Sequence, residues 1–293
     1  MNTHTDARDS VPVKSLALFL GLTFGLTWGI ALLLVLFPDQ IFRLFGELSM
    51  SHPLFILAVY SPGIAGLLVV TRHAGAAGLS GFLKRLALWR ASGYWWLFLV
   101  LGIPALMYGA AALKGTIRDP FPFSPWYDVF PALALALFLG PVEELGWRGV
   151  ALPLLQRRFA PLGAGLLLGL IWAVWHIPAF LIGGTPQSAW DFLPYFVGVI
   201  AISAVMTGLF NASRGSLLTA VIAHFQFNNP IFPDAQPWDT YLLALFAATM
   251  VLVHRQAYLR RDQGVTAVVV TSEGENPVLS QPNDSARPRA SAG

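Results

Sequence analysis

The sequence has 293 residues, of which 56% are hydrophobic and only 11% are charged, whereas an ordinary soluble domain carries about 25% charged residues. This composition indicates an integral membrane protein. The formal net charge is only +3 and there is no cysteine. The balance of charge argues against a nucleic-acid partner, and the lack of cysteine excludes disulfides, thiolate metal sites and a cysteine nucleophile.

A helix crosses a bilayer when it has roughly 20 mainly apolar residues, because lipid offers no hydrogen-bond partners to its backbone. The fourth apolar segment carries charges in its second half, the seventh surrounds a histidine, and the eighth is short. In chain order the apolar segments are 15–37, 53–71, 91–113, about 128–155, 159–183, 192–213, 215–233 and 240–253. The sequence therefore predicts an all-α, polytopic membrane protein with a bundle of about eight transmembrane helices.

The distribution of basic residues predicts how the bundle lies in the membrane, since Lys and Arg accumulate in cytoplasmic loops. With eight spans, 15 of the 18 basic residues fall on one side of the membrane. The opposite loops contain only Arg43, Lys114 and Arg118. We therefore expect both termini to be cytoplasmic.

The first apolar segment is too long for a signal peptide and is interpreted as a retained helix. The composition changes beyond Arg261, where polar residues, Pro and Gly predominate and a core cannot form. We divide the chain into a cytoplasmic N-terminal segment, 1–14; N-terminal transmembrane helices, 15–127; a catalytic transmembrane region, 128–256; and a disordered cytoplasmic tail, 257–293.

Three charged residues in the fourth segment are costly to place in a membrane helix. Glu144 and Arg148 are four residues apart with the acid first, which is the favourable spacing for an ion pair. Glu143 points about 100° away around the helix and lacks that partner, so it is a candidate general base. The alternative is a wetted helix end at the cytoplasmic surface.

A histidine interrupts the fifth segment. Trp172 precedes His176 by one helical turn and can shield or stack against the imidazole, and Pro178 can kink the helix. Taken alone, a histidine at this position is more often a packing residue whose hydrogen bonds are satisfied.

A second histidine lies in the seventh segment. His224 and Asn228 are four residues apart and share a helical face, so they present an imidazole and an amide to one place. The alternative is hydrogen bonding between helices, which both residue types provide in membrane bundles.

Together these groups suit hydrolysis of a carbonyl compound. A carboxylate and an imidazole can polarise a water molecule, while a second imidazole and an amide can stabilise the resulting oxyanion. A metal alternative stays open, because Glu143, His176 and His224 would form a His₂Glu zinc set.

These residues resemble the motifs of the CAAX prenyl protease type 2 and bacteriocin-processing (CPBP) family of intramembrane endopeptidases. Glu143, Glu144 and Arg148 match its first motif, and His224 and Asn228 match its third. Trp172 and His176 match the second motif, where phenylalanine is the commoner aromatic residue. All three motifs occur in family order.

The resemblance implies that Glu143 and His176 activate the water and that His224 and Asn228 form the oxyanion site. Glu144 and Arg148 support the cavity, which would open toward the cytosolic leaflet of an eight-helix bundle. Family members differ over metal use. We favour a mechanism that requires no cofactor, because Asn228 is a poor zinc ligand, with a zinc-dependent version as the alternative.

The expected partners are the lipid bilayer and a membrane-associated protein or peptide substrate, prenylated or not, and the expected location is a bacterial plasma membrane. Two rival functions belong to other classes. A transporter would use the intramembrane Glu, His and Arg residues to bind a proton or ion, and an immunity scaffold would keep the fold and act by binding alone.

Overall fold

The computed structural model describes residues 11–269, and the regular secondary structure within them is entirely helical. This confirms the predicted all-α membrane fold. The helices are α1 (Ser15–Leu36), α2 (Pro38–Phe45), α3 (Pro53–Ala87), α4 (Gly93–Lys114), α5 (Trp126–Gln156), α6 (Pro161–Leu181), α7 (Phe192–Ala212), α8 (Leu217–Phe227), α9 (Trp238–Val253) and α10 (Arg255–Leu259).

Among the described residues, six helices are long and apolar enough to cross a membrane: α1 and α3 to α7. Helix α8 is shorter than the predicted segment 215–233, because it ends at Phe227 after 11 residues. At 1.5 Å per residue it covers about half of a 30 Å hydrocarbon layer. After α8 the chain continues as irregular backbone from 228 to 237, and this segment lines a cavity. Irregular backbone is tolerated within a membrane where it lines such a cavity. The count of eight spans stays a prediction.

Helix α3 packs closely against the part of α5 that carries the acidic motif. A Cβ atom on Gly66 would lie 2.8 Å from the Leu145 carbonyl oxygen, and one on Gly146 would lie 2.2 Å from that of Pro62. Only glycine allows the two backbones to approach this closely. The contact fixes the depth at which the acidic motif lies in the bundle.

The ends of the bundle form two opposite faces. The cavity face consists of the α1–α3, α4–α5, α6–α7 and α8–α9 connections, and contacts such as Lys114 with Asp234 and Asp191 with Gln236 join these segments. The basic face consists of the N-terminal segment, the α3–α4, α5–α6 and α7–α8 connections, and residues 254–269. On that face Arg157 donates hydrogen bonds to the carbonyl oxygens of Val11 and Thr266.

The expectation that the chain is disordered from residue 257 is wrong for residues 257–269. Tyr258, Val268 and Val269 are buried against the bundle, because this segment contributes a few apolar side chains that fill a gap in the basic face. Residues 270–293, the rest of that predicted tail, lie outside the described residues.

Arg85 fastens this segment to the helices. The side chain is fully buried and donates to the carbonyl oxygens of Gly149 in α5, Gly215 before α8, and Val268. Its guanidinium also lies over the ring of Phe210 at 5.2 Å. Arg85 therefore joins α5, which carries Glu143 and Glu144, to the start of α8, which carries His224.

We expect Arg85→Leu to lower the free energy of unfolding by at least about 3 kcal/mol, because three buried carbonyl oxygens would lose a charged donor. The measurement is the thermal unfolding temperature of the detergent-solubilised protein, followed by tryptophan fluorescence. Lys84→Leu is the matched control, since Lys84 is the exposed neighbour. Equal unfolding temperatures for the two variants would contradict the role given to Arg85.

Candidate active site

Helix α5 loses its regular geometry where the acidic motif lies. Regular α-helix from Val129 to Phe138 is followed by a 3₁₀ turn (Pro141–Glu143), a short α-helical turn (Glu144–Gly146) and a π-helical turn (Trp147–Ala151). Pro141 and the glycines at 140, 146 and 149 account for the break, because they are poor residues for a helix interior. π-helical turns occur frequently at functional sites.

Two indole groups hold the Glu143 carboxylate. Trp147 Nε1 donates to Glu143 Oε2 at 3.1 Å, and Trp172 Nε1 donates to the same oxygen at 2.9 Å. Glu143 is 4% exposed, and within the described residues no donor reaches its Oε1. One carboxylate oxygen is thus fixed by the protein, and the other is left for a ligand or water.

The Glu144 carboxylate contacts both the Arg148 guanidinium and the His224 imidazole. Its Oε1 accepts from Arg148 Nη1 at 3.0 Å and lies 2.7 Å from His224 Nδ1. All three side chains are buried, and the Arg148 guanidinium lies 4.6 Å from the ring centre of Trp172. The predicted ion pair is present, and Glu144 additionally makes Nδ1 of His224 the protonated nitrogen.

His176 lies at the joint between two helical segments of α6, where the backbone tightens. Its N–H donates to the Ala173 carbonyl oxygen rather than to that of Trp172, and its ring Nδ1 lies 2.8 Å from the released Trp172 oxygen. A carbonyl can only accept, so Nδ1 carries the proton and Nε2 is the free acceptor. Pro178 explains the joint, because proline disfavours the helical conformation of the residues before it.

Asn228 caps the C-terminus of α8 and lies beside His224. A Cβ atom built on Gly140 would be 2.5 Å from Asn228 Nδ2 and 2.8 Å from His224 Nε2. These two nitrogen atoms are therefore close neighbours above the backbone of Gly140. Pro230, two residues beyond the cap, ends the helix there.

Glu143, His176, His224 and Asn228 all line one cavity of about 540 Å³. The structure thus brings together every residue that the three motifs predicted to be catalytic, with Trp172 between them. The rest of the wall is mostly apolar. It comes from the ends of α1, α4 and α6 and the beginnings of α3, α7 and α9 that lie toward the cavity face.

The location of the cavity is incompatible with one pair of expectations, a cavity that opens toward the cytosol and termini that are cytoplasmic. The rim includes Met50, Gln187, Trp190 and Asp234, which belong to connections on the cavity face. The basic residues lie at the other end of the bundle. A cytosolic opening and cytoplasmic termini therefore cannot both be correct.

The arrangement does not fit the three-ligand zinc set considered from the sequence. Among residues 11–269 no three His, Cys, Asp or Glu side chains are close enough to hold one metal ion. Glu143, His176 and His224 lie around one cavity without forming a common ligand set, so no step is assigned to a metal.

Three residues of the site were missed from the sequence. Trp147 follows Glu143 by four residues, the same spacing as Glu144 and Arg148, so its hydrogen bond to the carboxylate could have been predicted. Tyr195 lies against His176, with ring centres 5.3 Å apart, and Gly140 lies under His224. No local pattern links Tyr195 to His176 or Gly140 to His224, because their partners belong to other helices.

The fold and site define a polytopic helical membrane protein with a buried carboxylate and imidazole site inside the bundle. Residues 125–229 match the Rce1-like family of type II CAAX prenyl endopeptidases. The chain is also 30% identical over 176 residues to CAAX prenyl protease 2 of Methanococcus maripaludis, an alignment that covers 56% of this chain and 63% of that relative. The resemblance drawn from the three motifs is confirmed: residues 125–229 are similar to the type II CAAX prenyl endopeptidases, and the chain spans about 63% of the length of the curated relative that it matches.

The contacts separate the two adjacent acids in a testable way. We expect Arg148→Leu to lower the free energy of unfolding by roughly 3 to 5 kcal/mol, since it leaves Glu144 buried without its cation. Glu143→Gln should unfold close to the wild-type temperature, because the amide oxygen can still accept from both indoles. Thermal unfolding in detergent and the yield of folded protein are the measurements.

Glu144→Gln provides the second arm, because it weakens the contacts to both Arg148 and His224 and should resemble Arg148→Leu. A Glu143→Gln protein as unstable as Arg148→Leu would contradict the division between a supporting acid and one available to a ligand.

Proposed function

We propose that the protein is an intramembrane endopeptidase that hydrolyses a peptide bond of a membrane-associated protein or peptide. The observation that carries the proposal is the Glu143 carboxylate, fixed at one oxygen and free at the other, beside two imidazoles and an amide in a single cavity. The similarity to type II CAAX prenyl endopeptidases supports the same reaction class.

In the proposed reaction a water molecule lies between Glu143 Oε1 and His176 Nε2. These groups take its proton as the water oxygen bonds to the scissile carbonyl carbon, and the carbonyl oxygen becomes an oxyanion. The carbon–nitrogen bond then breaks, and the stored proton passes to the leaving nitrogen. The products are a carboxylate and an amine.

His224 and Asn228 are proposed to stabilise the oxyanion. Asn228 Nδ2 is a donor in any state, whereas His224 already gives Nδ1–H to Glu144 and donates from Nε2 only as an imidazolium. The Glu144 carboxylate lies 2.7 Å from Nδ1, accepts that hydrogen bond and so orients the ring. Glu144 thus acts through His224, and Arg148 prevents Glu144 from being an unpaired buried charge.

The proposed mechanism uses only side chains of this chain, and zinc is not assigned a role. The supporting argument is that no three His, Cys, Asp or Glu side chains among residues 11–269 are close enough to hold one metal ion, and that Asn228 is a good oxyanion donor and a poor metal ligand.

We expect Asn228→Ala to lower turnover of a quenched fluorescent peptide by about 100-fold or more with little effect on substrate binding, because the donor is used mainly in the transition state. Asn228→Asp should be at least as damaging, since a carboxylate repels the oxyanion. The assay uses purified protein in lipid, with prenylated and unprenylated peptides.

The same variants separate proteolysis from ion transport, because an aspartate at position 228 would preserve or strengthen cation binding. Glu143→Gln is the inactive reference, and activity that persists with a metal chelator agrees with the assigned mechanism. Full activity of Asn228→Ala would remove this residue from the mechanism. Activity lost with chelator and restored by zinc would favour the metal-dependent version.

Gly140→Ala tests the oxyanion geometry from the other side. The added methyl group must displace Asn228 Nδ2 and His224 Nε2, and a shift of about 1 Å in such groups can cost 100-fold in rate. We expect kcat to fall at least tenfold with a smaller change in KM. Gly163→Ala is the matched control, because the nearest atom to its Cβ would be Phe159 Cβ at 3.7 Å. Unchanged kcat in Gly140→Ala would show that the two nitrogens are not used as placed.

A further inference from the structure

The indole of Trp175 lies between the two groups that are proposed to activate water. It contacts the imidazole of His176 edge to face, with ring centres 4.7 Å apart, and the ring of Trp147, with ring centres 5.9 Å apart. Trp147 in turn donates a hydrogen bond to Glu143 Oε2. One indole therefore touches the imidazole on one side and a support of the carboxylate on the other, so a shift of this ring would disturb both.

A hydroxyl group of α1 fixes the indole of Trp175. Trp175 Nε1 donates to Thr27 Oγ1 at 2.9 Å. An indole N–H can only donate, so the threonine oxygen is the acceptor. Thr27 Oγ1 also lies 2.9 Å from the Ala58 carbonyl oxygen and contacts the Ser61 hydroxyl. Because Ala58 and Ser61 belong to α3, the network joins α1, α3 and α6.

Burial makes this hydrogen bond difficult to replace. Trp175, Thr27 and Ser61 are each at most 8% exposed. A buried N–H group without an acceptor is strongly disfavoured, and within the described part of the chain Thr27 Oγ1 is the acceptor that Trp175 Nε1 reaches. Rotation of the indole away from α1 is therefore disfavoured, and with it a displacement of the rings that it touches.

We propose that Thr27 and Trp175 are positioning residues of the active site. The Thr27 hydroxyl orients the Trp175 indole, and the indole holds His176 where it and Glu143 reach the same water molecule. The assignment rests on the proposed hydrolysis, and both residues act through His176 and Glu143 rather than on the reacting atoms. Helix α1 lies outside 125–229, the region similar to type II CAAX prenyl endopeptidases, so this contribution comes from a helix without a catalytic motif.

Thr27→Val removes the acceptor with almost no change in shape. We expect kcat for the quenched peptide to fall about tenfold or more with KM within about twofold, because a misplacement of about 1 Å can cost 100-fold in rate. Thr27→Ser keeps the hydroxyl and should restore kcat to within about threefold of wild type. Trp175→Phe keeps an aromatic ring but lacks the N–H, so it should resemble Thr27→Val. The double variant should lose no more than the larger single loss, since both changes break one interaction.

Thr207→Val is the matched control, because Thr207 is also buried and its hydroxyl donates to the Ser203 carbonyl oxygen, away from the cavity. It should lower the unfolding temperature about as much as Thr27→Val and leave kcat unchanged. Wild-type kcat in Thr27→Val would overturn the proposal, and so would a Thr27→Ser variant as slow as Thr27→Val or additive losses in the double variant. Should Thr27→Val fail to fold, wild-type kcat in Trp175→Phe would overturn it.

The ring signals of His176 provide a readout that does not depend on turnover. In protein with isotope-labelled histidine, these signals are assigned with His176→Gln and report the ring current of the indole 4.7 Å away. They should shift in Thr27→Val and keep their positions in Thr27→Ser and Thr207→Val. Unchanged signals in Thr27→Val would overturn the proposal. Wild-type protein that cleaves no peptide would contradict the protease function, while the His176 signals would still report whether Thr27 fixes the ring.

Discussion

The site depends on one constraint, the cost of burying charge inside a membrane protein. Glu144 satisfies it by contacting Arg148 and His224 through the same oxygen atom, so that neither charged side chain of the pair is left alone. Breaking such a buried pair typically costs several kcal/mol. Because this triad connects α5 to α8, it also fixes where His224 and Asn228 lie relative to Glu143.

Irregular helix geometry sets the directions of the other side chains in the site. The 3₁₀ and π-helical turns of α5 allow Glu143 and Glu144 to point to different partners, and the tightened turn at His176 frees the Trp172 carbonyl oxygen that orients the imidazole. Each deviation lies beside a glycine or proline. The breaks in regular helix geometry are thus located where side chains need directions that a regular helix does not offer.

The two ends of the bundle have different physical tasks. The basic face is closed by Arg85 and by residues 265–269, and most of the Lys and Arg residues lie at or near it. The cavity face consists of short connections around an apolar opening. The cavity lies at the end of the bundle opposite to most of the basic residues, so a cytosolic opening and cytoplasmic termini are incompatible expectations.

The sequence by itself determined the membrane class, the helical fold, most helix bounds and the residues Glu143, Glu144, Arg148, His176, His224 and Asn228, because apolar length and i, i+4 spacing are local properties of a chain. It also contained the Trp147 contact at the same spacing. Only the tertiary structure decided that Gly140 underlies His224, that Arg85 is buried, that 257–269 is packed and that the cavity opens away from the basic residues. These features depend on contacts between helices far apart in the chain, and no local pattern encodes which end of a helix faces a shared cavity.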